Sequence, residues 1–402
     1  MAATEHPHSS NSANLIYLDH AATTPVDARV LDRMLPYFTE HYGNPSSVHE
    51  PGREARAALD WARGTVTRIL NCGPREIVFT SGATEANNLA IKGLAMAALQ
   101  RWEGRQPHII TSAIEHPAVL QTVQELVHFG VRSTIVPVNS AGLLDPYDVG
   151  AALEPETCLV SIMYANNEIG TVQPIAEISA KTRSAGVPLH VDAVQAAGKL
   201  PLDVAELGID LLSLSAHKLN GPKGSGLLFV RAGVRPFPQL HGGGQEYARR
   251  AGTENVAGAV GLAAALELAV HEQTANTLRM AFLRDRLANE LMERIPAAQL
   301  NGDWRKRLSN NVHISFDDVD GESLLFHLDL RGLAASSGSA CASGSGKPSH
   351  VLIAIGLTVA QAEGSLRLTL GPSTTEEEID RAVEVIVASV EQIRAFSAAN
   401  LS

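Results

Sequence analysis

The stretch Glu76-Ile77-Val78-Phe79-Thr80-Ser81-Gly82-Ala83-Thr84-Glu85 passes from a short apolar run, through small residues, into a helical pattern that continues to Leu99. Residues 76–80 predict a strand and 85–99 a helix. The same alternation recurs on the C-terminal side. Segments 108–111 and 133–136 predict strands flanking a helix over 117–128, and 158–163 predicts a buried strand followed by a helix near 175–184. Strands at 189–191, 211–214 and 226–230 complete the set. Short, continuously apolar strands between helices predict an α/β fold with a mostly parallel sheet covered on both faces. Ligands of such sheets bind at the carboxyl ends of the strands.

Composition agrees with that class. The 402 residues are 45% hydrophobic but only 4% aromatic, with abundant Gly and Ala that suit close helix–sheet contacts. Net charge is −11, from 32 basic and 43 acidic residues, with no Lys/Arg-rich tract. Direct binding of nucleic acid or an anionic membrane is therefore not expected. The longest apolar stretch, 256–266, is shorter than the roughly 20 residues that span a bilayer. Residues 1–14 are polar, lack the apolar core of a secretory signal, and are expected to form a disordered tail.

The second half reads differently. Residues 254–295 are helical in pattern with hardly a breaker after Gly261, followed by strand-like pieces at 311–316 and 365–370 and helices at 322–328 and 376–396. The expected division is a large domain over 25–270 and a smaller α+β domain made of 15–24 and 271–402. The smaller one carries a cysteine loop at 336–347.

Four segments carry chemistry. After the first strand, Ser81-Gly82-Ala83-Thr84 can aim backbone N–H groups and a helix dipole at an anion, although a plain capped helix has the same look. Asp192 follows a buried strand, either as a helix cap or as a carboxylate partner for a protonated ring nitrogen. Lys218, in Ser215-Ala216-His217-Lys218-Leu219-Asn220-Gly221-Pro222, sits directly after a hydrophobic strand, where a desolvated amine can bond a carbonyl carbon. Ser215 and His217 beside it offer donors suited to a phosphate. Cys341 lies in Ser336-Ser337-Gly338-Ser339-Ala340-Cys341-Ala342-Ser343-Gly344, a stretch that can bury almost nothing. A thiol there suits a travelling nucleophile better than a core position. Cys72 and Cys158 allow the core explanation. Three widely spaced cysteines make neither a disulfide framework nor a zinc site, and a reducing cytoplasm is the expected setting.

Together these segments resemble the cysteine desulfurases, in the aspartate-aminotransferase-like (fold type I, class V) group of pyridoxal-phosphate enzymes. The likeness extends to Tyr17-Leu18-Asp19-His20-Ala21-Ala22-Thr23-Thr24-Pro25, Tyr42-Gly43-Asn44-Pro45-Ser46-Ser47, Glu115-His116, Asn166-Asn167-Glu168-Ile169-Gly170 and His241-Gly242-Gly243-Gly244-Gln245-Glu246, and so to nearly the whole chain. The resemblance implies pyridoxal 5'-phosphate as cofactor, L-cysteine as substrate, and a homodimer. It implies that Lys218 holds the cofactor covalently and later moves the Cα proton. Asp192 would pair with the ring nitrogen and Gln195 with the phenolic oxygen, while His116 stacks on the ring and serves proton transfer. Ala83, Thr84, Ser215 and His217 would hold the phosphate, completed by Thr253 from a second subunit.

Asn167 and Arg367 would bind substrate, Arg367 through its guanidinium fork. Read by alternation alone, Arg367 in Ser365-Leu366-Arg367-Leu368 faces water. Cys341 would accept the sulfur as a persulfide and pass it to an acceptor protein such as an iron–sulfur scaffold. It is also a possible transient ligand of an iron–sulfur cluster, and no resident metal is expected. Seven positions from Cys341 to Pro348 resemble the long-loop branch of the family. A selenocysteine lyase or another class V enzyme needs the same Lys218 and Asp192, and an aminotransferase has no use for the thiol. A non-catalytic scaffold of this fold would be expected to lack Lys218, Cys341 or Arg367.

Overall fold

The computed structural model describes residues 15–102, 104–338 and 348–400. The expected tail and Cys341 itself lie outside the described residues. No helix among the described residues is long and apolar enough to cross a membrane.

A seven-stranded sheet forms the centre. Its strands are β2 (Ile77–Thr80), β3 (His108–Ser112), β4 (Arg132–Val136), β5 (Thr157–Met163), β6 (Leu189–Asp192), β7 (Leu211–Ser215) and β8 (Gly226–Val230), in the order β2-β8-β7-β6-β5-β3-β4. The run from β7 to β4 is parallel, while β8 is antiparallel to both its neighbours. Every residue of β5, β7 and β8 is buried, as expected of strands covered on both faces. Two antiparallel steps leave β2 pointing the same way as β7. The carboxyl ends of β2, β3, β5, β6 and β7 therefore meet at one edge of the sheet.

Helices Glu50–Leu70 and Val256–His271 pack against each other on one face. The second is apolar all round, and its residues 256–266 are all buried. That composition belongs to a helix enclosed by protein. On the other face, Ala83–Arg101 and Pro117–Leu126 enclose a second apolar cluster.

A smaller antiparallel sheet, β12 (Ser365–Thr369), β10 (Asn311–Phe316) and β9 (Ala298–Leu300), shares its apolar cluster with helices Gln273–Arg294, Gly321–Leu330 and Glu376–Asn400. The N-terminal strand β1 (Ile16–Tyr17) joins this part by parallel pairing with β11 (Leu333–Ala334), and Asp19 bridges to Thr369. The helical pattern over 254–295 forms two helices, one ending at His271 and the next starting at Gln273. At the break Glu272 has φ −92° and ψ 0°, and its carboxylate accepts from Arg29 at 2.7 Å. No Gly or Pro marks the bend, so pattern alone does not signal it.

Candidate active site

A cavity of about 530 Å³ opens where the strand ends meet. Its lining includes Ala83, Thr84, His116, Asn167, Asp192, Gln195, Ser215, His217, Lys218 and Arg367. All ten were singled out from the sequence, and the topology brings them together.

One end of the cavity is built for an anion. The turn after β2 leads into helix Ala83–Arg101, whose first-turn N–H groups have no intrahelical acceptor and carry the positive end of the helix dipole. Ser215 ends β7 alongside, and a Cβ on Gly226 would stand 2.6 Å from Gly82, so only glycine lets β8 start this close to the turn. The His217 ring is held down to about 4 by burial and by the ammonium groups of Lys218 and Lys223, so it is uncharged. It offers hydrogen bonds there, while Lys223 adds positive charge at the same wall.

Lys218 lies in the short turn Ala216–Lys218 that leaves β7. Its ammonium donates to the carbonyl oxygens of Ala21 and Ala22, each at 2.5 Å. Gln195 Nε2 also donates to Ala21, so the N-terminal segment forms one wall of the site. Asp192 closes β6, with Oδ2 accepting from Asn87 Nδ2 at 2.7 Å and Oδ1 from the Val194 amide. His116 caps helix Pro117–Leu126, its Nδ1 accepting from the Ala118 amide at 3.1 Å. Burial lowers its pKa against the opposing pull of Asp192, so the ring is neutral and carries its proton on Nε2.

Arg367 corrects the water-facing expectation, being 2% exposed. Its NH2 donates to Asp19 Oδ1 at 2.8 Å and its NH1 to the Asn167 carbonyl at 3.2 Å. Among the described residues Nε is buried without a hydrogen-bond partner. Alternation along β12 is real, but the second face is covered by the Asn167 segment instead of solvent.

Thr253 stands apart. It lines a separate space of about 180 Å³, which shares Ser81 and Gly224 with the main cavity. Ser349 and His350, just past the point where the described residues resume, do approach the site. Ser349 Oγ donates to Glu168 Oε2 at 2.5 Å, and His350 Nε2 lies 2.9 Å from the Glu115 carbonyl oxygen. Cys72 and Cys158 do not approach it, and burial pushes both thiols up to about 12.

Several functional contacts escaped the sequence: Asn87 behind Asp192, Asp19 on Arg367, and Lys223 at the anion end. Glu115 is another. It is fully buried and its carboxyl is pushed up to about 8, chiefly by burial, although Ser112 and the Met163 amide donate to it. A polar residue at an otherwise buried helical position, as at Asn87, is the one signal that could have been used.

The donor set matches pyridoxal phosphate. N–H groups and hydroxyls gather at one end, a carboxylate fixed by Asn87 sits elsewhere in the cavity, and a lysine lines the same space. The comparisons agree. The family profile described as Aminotransferase class-V matches residues 16–382. The cysteine desulfurase IscS of Dictyoglomus turgidum is 47% identical over 382 residues, covering 95% of this chain and 96% of that one. A solved NifS-like protein superposes with a TM-score of 0.88 at 38% identity, covering 94% of this chain and all of the other. The structure of SspA in complex with cysteine gives 0.78 at 38% identity, over 89% and 99% of the two chains. With a profile spanning the strands of all three sheets and a relative matched almost end to end, the chain belongs to the class-V aminotransferases, a pyridoxal-phosphate-dependent family, and within it to the cysteine desulfurases.

Proposed function

We propose that this chain moves the sulfur of L-cysteine onto the thiol of Cys341 and releases L-alanine. It does so in the cytoplasm, as a homodimer that hands the sulfur to an acceptor protein such as an iron–sulfur scaffold. The observation that supports this most is the single cavity shared by Lys218, Asp192, His116 and Arg367.

In this proposal Lys218 holds pyridoxal phosphate through its amino group and afterwards moves the proton at the substrate Cα. Asp192, fixed by Asn87, takes the ring N–H, and Gln195 takes the phenolic oxygen. Ala83, Thr84, Ser215 and His217 receive the phosphate, with Thr253 reaching that of a second copy of the chain. When bound, the cofactor supplies an electron-withdrawing ring that takes up the electron pair left at the substrate Cα.

Arg367 and Asn167 bind the substrate. The unpartnered Nε of Arg367 gives a carboxylate a charge-assisted donor beside the NH2 that Asp19 already shares. His116 holds a proton at Nε2, since its Nδ1 is engaged by the Ala118 amide. The Cys341 thiolate attacks the substrate sulfur, and the S–S bond forms as the Cβ–S bond breaks. The electron pair of the broken bond leaves with Cβ, which takes a proton and becomes the alanine methyl. Thiol plus cysteine gives persulfide plus alanine, so the step balances without an outside reductant. The persulfide then yields its outer sulfur to an acceptor thiol.

A single turnover of cofactor-loaded protein with L-cysteine, without reductant, tests this. Alanine matched by one extra sulfur on the Cys341 peptide, with neither in Cys341→Ser, is the expected result. Pyruvate or pyridoxamine phosphate with Cys341 unmodified would overturn it.

A further inference from the structure

We infer that the buried ion pair between Arg63 and Glu246 is a positioning device for the phosphate end of the active site. This rests on the assignment of pyridoxal phosphate to the main cavity.

The argument begins at the edge of the sheet. Among the described residues β2 has one strand neighbour, β8, so its outward backbone groups at Ile77 and Phe79 have no strand to pair with. Buried backbone polar groups must find partners. Here Arg63 NH1 donates to the Ile77 carbonyl at 2.6 Å, and the Phe79 amide donates to Glu246 Oε2 at 3.0 Å. Arg63 NH2 meets Glu246 Oε1 at 2.7 Å, with the two side chains 6% and 3% exposed. The ion pair thus stands where a further strand would, and it pairs with β2 as that strand would. The guanidinium also lies 4.9 Å from the Phe79 ring and 5.3 Å from the Tyr247 ring.

The loop that delivers Glu246 is held in an unfavourable shape. Glu246, Tyr247 and Ala248 have φ of 46°, 59° and 60° in succession. Left-handed backbone is normally visited by single residues, and by glycine above all. Three in a row persist only where side-chain contacts over-determine them, which is how strain is stored at functional sites.

The same loop then grips the anion end a second time. Arg250 donates to Glu85 Oε1 at 2.8 Å, and Glu85 Oε2 accepts from the Ser81 amide at 2.7 Å. Phe79 and Ser81, the residues leading into the phosphate-facing turn, are therefore each fastened by a carboxylate that an arginine holds. Glu246, Arg250 and Thr253 line the small space that shares Ser81 and Gly224 with the main cavity. A buried ion pair is weak as a stabiliser, because desolvation offsets its attraction. Fixing the height and tilt of the 81–84 turn is a use that the geometry supports.

The test compares apo protein binding pyridoxal 5'-phosphate and pyridoxal, which lacks the phosphate, with thermal melting as a check on folding. Glu246→Gln keeps the shape and an acceptor for Phe79 but removes the charge facing Arg63. Losing a charge-assisted bond at the cradle is expected to weaken the phosphorylated form about tenfold or more, with pyridoxal within about twofold of wild type. Equal weakening of both ligands, or no change in either, would overturn the inference. Should Glu246→Gln fail to fold, Arg63→Lys carries the same comparison, since an ammonium lacks the planar fork that holds Ile77 and Glu246 from two separate nitrogens. Wild-type protein that does not prefer the phosphorylated form would overturn the cofactor assignment, and this inference with it.

Discussion

Replacing Arg367 with lysine separates substrate binding from simple structural pairing. The guanidinium makes two hydrogen bonds, to Asp19 and to the Asn167 carbonyl, and among the described residues its buried Nε has no hydrogen-bond partner. A lysine ammonium can stay beside Asp19, but it cannot also reach Asn167 and present a second donor to a carboxylate. The loss is one charge-assisted hydrogen bond, about 1.5–3 kcal/mol. At about 1.36 kcal/mol per tenfold, kcat/KM for L-cysteine should fall about 10- to 150-fold. The loss should lie mainly in KM, because the carboxylate does not react. Alanine formation across a range of L-cysteine, with a dithiol present, gives both parameters. Cysteamine is the control. It is cysteine without the carboxylate, so its inhibition constant should hardly move. A KM within about twofold of wild type, or a cysteamine constant rising by the same factor, would show that Arg367 only holds Asp19.

Glu115 makes stability depend on pH. The folded protein keeps the Glu115 proton up to about 8, while the unfolded chain loses it near the ordinary value of about 4.3. Across that window the native state binds more protons, so stability falls as pH rises. Glu115→Gln should therefore show a flatter fall in Tm from about pH 5 to 8 than wild type, and superimposable slopes would refute the assignment. Cys72→Ala and Cys158→Ala should each form alanine within about twofold of wild type, because thiols near 12 are almost never thiolate at neutral pH. Rapid alkylation of Cys158, the buried one of the two, in the native protein at neutral pH would contradict its burial.

The strands were legible because the local signal and the final environment agree. The expected strand at 158–163 differs from Thr157–Met163 by one residue, and Gly226–Val230 was found as expected. Continuous apolar runs of that length leave few other fates. Lys218 and Asp192 were legible for a related reason, since a charge directly after such a run must lie at a strand end. Their neighbours were not. Asn87 meets Asp192 across 105 positions of sequence and Asp19 meets Arg367 across 348, distances over which no periodicity carries information. Arg367 shows the limit of alternation, which tells that two faces exist but not what covers each. Glu272 shows another, since the two helices part there without a Gly or Pro to mark the break.

The N-terminal strand carries a consequence for how the molecule is made. Ala21 and Ala22 supply the carbonyls on Lys218, yet the Ala21 amide is fastened to Thr369 Oγ1 at 2.8 Å, and β1 lies against β11. A ribosome therefore releases the first wall of the lysine pocket at the start of translation and its fastening near the end. A chain that ends before Thr369 carries every strand of the central sheet but lacks the hydroxyl that holds the Ala21 amide. Prematurely terminated products share that defect. The wall of the lysine pocket is thus among the first parts of the chain to be made and among the last to be fastened.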